Sequence, residues 1–237
     1  MHLNININSI ANLKNSIGDN GPNIVKFSRY CENFGVDGIV AYYNMHSDLL
    51  STYDIKNLKL HLSSRFILKI APNEQAVQFA LDLKPDTVCI VPDVDELSPS
   101  IGYDILKNQK FISDFVKQLK DKGILTSVFI EPKIEQVNSA YKANMDYVEL
   151  NTANFSMNFN KDNYKQDYMN LKESAILATT LGMKVSLCKN INYKNIKTLL
   201  QIPSLSDITM GHGILSKSIY IGIYNSIKEI RTIIDEK

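Results

Sequence analysis

The side chains best able to do chemistry sit in a few short segments. Near the C-terminus, DITMGHGILSKSI sets Gly211, His212 and Gly213 at the opening of an amphipathic stretch. Backbone N–H groups at a helix opening point outward, the helix dipole adds roughly half a unit of positive charge, and glycine lets an anion approach closely. Phosphate binding is the chemistry this predicts; a glycine turn with a capping histidine is the alternative. Two lysines, Lys69 in ILKIA and Lys189 in LCKN, interrupt apolar surroundings. For Lys69 the first reading is an ion pair with Glu149 or another strand-end carboxylate, because an inward charge is costly unless paired. A second has Lys69 or Lys189 with a lowered pKa attacking a carbonyl as an amine nucleophile. In a third, both lysines hold phosphate as point charges. Tyr42 and Tyr43 read as packing or as phenols, and a phenol with a pKa near ~10 is a poor base at neutral pH.

Positioning these groups falls to short β-branched runs that alternate with amphipathic stretches from one end of the chain to the other. The spacing predicts strands at Leu3–Asn8, Gly38–Tyr43, Phe66–Ala71, Thr87–Pro92, Leu125–Glu131, Tyr147–Thr152, Lys184–Cys188 and Asp207–Gly211. Helices are predicted at Asn23–Phe34, Glu74–Leu83, Gln109–Lys122, Ile134–Ala143, Tyr164–Leu181, Tyr193–Leu200 and Gly213–Asp235, with a weaker one near Asp54–Leu62. Eight such units predict an α/β fold, a closed (β/α)8 TIM barrel with extra helices, formed by residues 1–237 as a single domain. The first turn, NININSIANLKNSIG, has no G-x-G-x-x-G, which removes the main support for a dinucleotide-binding sheet. In a barrel, chemistry sits where strands end. That rule draws attention to Asn6, Asn8, Tyr42, Asn44, Lys69, Asp93, Glu131, Glu149, Asn151, Lys189, Gly211 and His212.

Lys and Arg together number 26 against 25 acidic residues, so no field favours a nucleic acid or an anionic membrane as partner. No stretch approaches the ~18 apolar residues of a membrane helix, and a soluble cytoplasmic protein is the expectation. Cys31, Cys89 and Cys188 are widely spaced and read as small core residues. His2, His46, His61 and His212 form no metal-binding pair, so no metal and no cofactor is expected.

Several segments, in order, resemble the pyridoxine 5'-phosphate synthase family. NINSIANLKN at Asn6–Asn15 resembles the family's NIDHIATLRN, and FGVDGI at Phe34–Ile39 resembles its AGVDGI-type packing segment. CIVPD at Cys89–Asp93 resembles CLVPE, and SVFIEP at Ser127–Pro132 resembles SLFIDP. YVELNT at Tyr147–Thr152 resembles FIEIHTG, and MGHGI at Met210–Ile214 is similar to IGHAI. The resemblance implies a barrel assembled as an octamer built from dimers. It implies condensation of 1-deoxy-D-xylulose 5-phosphate with 3-amino-2-oxopropyl phosphate to pyridoxine 5'-phosphate, with loss of water and inorganic phosphate.

The resemblance also implies roles, position by position. Asn6 stands where the family binds the amino-oxopropyl phosphate, Gly211 and His212 where a phosphate rests, and Glu149 where the transition state is stabilised. Other positions depart from the pattern. The family's H-x-R-x-x-x-x-H on the second strand is Tyr42, Asn44 and Leu49 here; the glutamate of its LEMA is Lys69; the donor histidine and glycine of its AGHG are Lys189 and Asn190. Asn8 and Ser9 replace an Asp-His pair, Ile17 replaces a phosphate-binding arginine, and Ser98 lies near a substrate-binding threonine. His46 reads as an exposed loop residue or as a stand-in for a displaced histidine. Two function classes follow. One is a pyridoxine 5'-phosphate synthase with a remodelled site; the other is a noncatalytic or repurposed relative that binds a phosphorylated metabolite or a catalytic partner.

Overall fold

Alternation along eight short strands divides the side chains between two environments. In a computed structural model of the chain, which describes residues 1–44, 49–94, 100–161 and 164–236, the strands are β1 His2–Asn6, β2 Gly38–Tyr42, β3 Arg65–Ile70, β4 Thr87–Ile90, β5 Leu125–Ile130, β6 Tyr147–Asn151, β7 Lys184–Cys188 and β8 Leu205–Met210. They pair in parallel in chain order, and β8 returns to β1 to close a barrel, with His2 opposite Asp207 and Ile5 opposite Met210. The helices are α1 Asn8–Ile17, α2 Ile24–Asn33, α3 Thr52–His61, α4 Glu74–Leu83, α5 Gln109–Asp121, α6 Ile134–Lys142, α7 Ala153–Asn158, α8 Tyr164–Thr180, α9 Ile196–Leu199 and α10 His212–Asp235. The expected (β/α)8 barrel with extra helices is therefore present.

One face of each strand supplies Leu3, Ile5, Ile39, Phe66, Leu68, Val88, Ile90, Val128, Val148, Leu150, Val185, Leu187 and Ile208, all buried in the layer beneath the helices. Each such side chain contributes roughly 1.5–3 kcal/mol through the apolar surface it removes from water. Inside the barrel, Tyr42, Cys89, Val91, Phe129 and Cys188 form a small apolar cluster. Below it the interior is polar: the Arg65 guanidinium donates to Asp207 Oδ1 and to Asn4 Oδ1, the latter at 3.1 Å.

All the strands except β7 stop one or two residues short of their expected ends, and β1 and β6 show a local cause. β1 was expected to run to Asn8, since apolar and polar residues alternate that far, but it ends at Asn6. Asn6 Oδ1 accepts the N–H of Asn8 at 2.9 Å, a local turn that starts α1 immediately. β6 ends at Asn151 by the same device, with Asn151 Oδ1 accepting the N–H of Ala153 at 3.0 Å as α7 begins. Both helices were absent from the sequence expectation. The expected helix at Tyr193–Leu200 shrinks to the four residues of α9, because Asn192 and Asn195 side chains take up the preceding backbone N–H groups. The weak helix near Asp54 is α3, opened by a reciprocal cap: Asp54 N–H donates to Ser51 Oγ, and Ser51 N–H to Asp54 Oδ2, each at 3.1 Å. α10 is broken at Gly222, where φ is 78° and ψ is 157°. Among the described residues no helix is long and apolar enough to cross a membrane.

Candidate active site

The C-terminal rim of the barrel carries a pocket of about 80 Å³ between the ends of β1, β7 and β8. Its walls include Asn6, Asn8, Ser9, Lys189, Asn190, Gly211 and His212, together with Cys188, Ile191 and Gly213. That volume is several times what one water needs. Gly211 is the residue before α10 and has no side chain with which to cap the first turn. The opening N–H groups of a helix have no intrahelical partner, so this turn presents donors and a positive dipole end at the pocket. Packing is close at both glycines. A Cβ on Gly211 would sit 3.0 Å from the Asn6 carbonyl oxygen, and one on Gly213 would sit 2.6 Å from that of Ile191.

Not every polar group at the pocket wall is available to a ligand. Asn8 is buried; its Nδ2 donates to the Tyr42 carbonyl at 3.1 Å and its Oδ1 accepts the Tyr42 N–H at 2.9 Å. It clamps the first loop onto β2. Tyr42 and Asn44 are committed in a similar way, since the Tyr42 hydroxyl and Asn44 Nδ2 each donate to the Val94 carbonyl at 3.1 Å. Glu131 and Asn151, expected at the rim, hold the segment after β4: Glu131 Oε1 accepts from Gly102 N–H at 2.8 Å and from Asn151 Nδ2 at 2.7 Å. Ser98 and His46 lie outside the described residues.

One layer deeper, Lys69 on β3 and Glu149 on β6 form an ion pair across the barrel interior, at 3% and 4% exposure. Lys69 Nζ also lies 3.5 Å from Cys188 Sγ and 5.2 Å from the centre of the Phe129 ring, and Cys89 Sγ lies 3.8 Å from Glu149 Oε2. Burial alone disfavours the ammonium, but the charges that Cys188, Glu149 and Cys89 carry when ionised outweigh it and hold the Lys69 pKa above its ordinary value. Cys188 is itself pushed up to about 11, by burial first and by Glu149 second, so at neutral pH it is a thiol. The carboxylate is therefore what keeps Lys69 charged. A lysine held in this state is a poor nucleophile, and of the three sequence readings the ion pair describes Lys69. Cys188 lines the rim pocket as well as touching Lys69, so the pair lies directly beneath the pocket floor.

Lys189 is half-buried in the pocket wall with φ at 94°, followed by Asn190 at 56°. Thr152 was not singled out from the sequence, yet its buried hydroxyl donates to the carbonyls of Cys188 and Lys189. Cys188, read only as core, also belongs to the site; its place at the end of a strand was the available signal. Among the described residues no group of three His, Cys, Asp or Glu side chains converges as metal ligands would.

Comparison with known proteins agrees with this architecture. The pyridoxine 5'-phosphate synthase of Flavobacterium johnsoniae is 30% identical over 227 residues, covering 95% of this chain and 95% of its own. That of Chlorobium phaeobacteroides is 28% identical over 235 residues, covering 99% and 100%. In fold, the chain is similar to KGPDC from Streptococcus mutans, with a TM-score of 0.67 and 10% identity over 99% of this chain and 97% of the other. Thiamine phosphate pyrophosphorylase from Pyrococcus furiosus aligns with a TM-score of 0.65 and 14% identity over 99% and 95%. The family model described as pyridoxal phosphate biosynthesis protein PdxJ matches residues 3–236, the barrel from its first strand to the end of its last helix, and the chain belongs to that family.

Proposed function

We propose that the rim pocket takes the phosphorylated substrates of pyridoxine 5'-phosphate synthesis, 1-deoxy-D-xylulose 5-phosphate and 3-amino-2-oxopropyl phosphate. In this reading the first turn of α10, with Gly211 and His212, and the ammonium of Lys189 hold a phosphate, while Asn6 and Ser9 face the body of the ligand. The observation that carries it is the convergence of these residues on one pocket at the rim. Main-chain donors at a helix start and a lysine point charge are two independent means of holding a phosphate. The octamer built from dimers belongs to the same reading, with Ile219, Tyr220 and Tyr224 on α10 as exposed apolar surface for copies to cover.

The Lys69–Glu149 pair favours a second reading, in which the ligand is bound without being condensed. Condensation needs groups that exchange protons near neutral pH. Lys69 is held as an ammonium, and Glu149 spends its charge on it.

Purified protein given both substrates, with inorganic phosphate release as readout, separates the two. Release above the enzyme-free rate supports the synthase; calorimetric binding of pyridoxine 5'-phosphate without release supports the binding protein. Lys189→Met is expected to weaken binding about tenfold, the loss of one charge-assisted contact. Absence of binding to wild-type protein refutes both.

A further inference from the structure

The loop after β7 is bent in a way its residues do not favour. Lys189 and Asn190 are the one consecutive pair of non-glycine residues with positive φ among the described residues, at 94° and 56°. Such backbone persists only where neighbours hold it. Thr152, the residue after β6, is fully buried. Its N–H donates to the Cys188 carbonyl at 2.9 Å, and its hydroxyl reaches that carbonyl at 3.0 Å and the carbonyl of Lys189. From the other side, Asn195 Nδ2 and Asn192 Nδ2 donate to the Asn190 carbonyl at 3.1 Å and 3.3 Å. The bend thus lies between two sets of side-chain donors. Every residue from Cys188 to Ile191 lines the rim pocket, whereas Thr152 does not. The loop has little room to move toward α10, because the Ile191 carbonyl already fills the space beside Gly213.

We propose that Thr152 is a positioning residue for the rim pocket: its hydroxyl fixes the carbonyls of Cys188 and Lys189 and thereby holds Lys189 at the pocket wall. This rests on the reading of that pocket as a phosphate site. A hydroxyl carries one proton, so Thr152 shares it between two carbonyls; if the hydroxyl is removed, the Lys189 carbonyl loses this donor and the Cys188 carbonyl keeps only the Thr152 N–H. The strained pair then relaxes, and the lysine leaves the place where a phosphate would meet it.

Thr152→Val keeps the side-chain shape and removes the donor; Thr152→Ser keeps the donor and removes a methyl group. With pyridoxine 5'-phosphate as the calorimetric probe, T152V is expected to weaken binding by about tenfold, as for a buried hydrogen bond lost, and T152S by no more than about threefold. A purely structural threonine would lower thermal stability and leave affinity alone. Asn190→Gly supplies a second parent. Glycine takes positive φ without strain, so T152V should cost much less affinity in N190G than in the wild-type chain. If T152V alone does not fold, the N190G pair carries the comparison. Hydrogen exchange of a peptide spanning 188–195 gives a ligand-independent readout, expected to speed up in T152V and not in T152S. Wild-type protein that fails to bind the probe sinks the phosphate reading, and exchange then judges Thr152 by itself. Unchanged affinity in T152V, or unchanged exchange, overturns the proposal.

Discussion

Removing one member of the Lys69–Glu149 pair should be far more damaging than removing both. The two groups are almost wholly buried, so neither can recover its hydration when its partner is lost. In Lys69→Met the stranded Glu149 can take up a proton. At pH 7 that costs about 4 kcal/mol for a carboxyl with an ordinary pKa near 4.3, which bounds the electrostatic loss. In Glu149→Gln the stranded lysine can release its proton, at a cost of about 5 kcal/mol from its ordinary value. Each single variant should therefore lose about 3–5 kcal/mol, a fall of roughly 10 °C in melting temperature for a chain of this size. The double variant leaves no stranded charge and should lie within about 2 kcal/mol of wild type.

Urea unfolding of the four proteins at pH 7 measures the coupling directly, and pH supplies an independent sign. Wild-type Lys69 has its folded pKa raised, so its contribution is fully present below the unfolded value of 10.5 and is lost as pH rises through the folded one. In Glu149→Gln burial depresses that pKa instead, and stability should climb as pH approaches 10.5. Additive losses in the double variant, or single losses below about 1 kcal/mol, would refute the picture of a coupled buried pair.

Two further outcomes follow from the rim. Gly213→Ala drives a Cβ to 2.6 Å from the Ile191 carbonyl, so the loop after β7 must shift. Binding of pyridoxine 5'-phosphate should fall at least tenfold by calorimetry, while the same change at Gly123, where nothing lies within 4 Å but φ is 73°, should cost stability without affinity. Asn8→Asp replaces the Nδ2 donor with a carboxylate oxygen facing the Tyr42 carbonyl, and should lower stability by about 2 kcal/mol in thermal unfolding at pH 7.

The barrel was legible because its signal is repeated eight times. Runs such as Val148 and Leu150 on one face and Glu149 on the other follow a period of two, and a helix pattern separates each run from the next. Helices α1 and α7 were not foreseen: the alternation of β1 runs on through Asn8, the first residue of α1, and α7 has six residues, too few to show a period. The rim pocket was visible in part, because a glycine turn before a helix has a chemical meaning of its own. Lys69 and Glu149 were each visible, with an ion pair as one alternative, but they are 80 positions apart and only closure of the barrel makes them partners. The commitment of Asn8, Tyr42 and Asn44 to backbone groups could not be read at all. An asparagine looks the same in sequence whether it faces a ligand or a carbonyl.

The break at Gly222 gives the last helix a geometry that a straight rod cannot have. Lys217 and Glu229 would stand about 18 Å apart along an unbroken helix axis, yet their charged atoms meet at 2.9 Å. The two segments must turn toward one another, and Ile219 and Tyr220, 77% and 85% exposed, ride on the elbow between them. The stretch from Gly211 to that elbow acts as a ruler. Deleting a single residue from it would swing Tyr220 by about 100° and pull Lys217 off Glu229. Chain length alone thus fixes how far the elbow stands from the barrel rim and which way it faces.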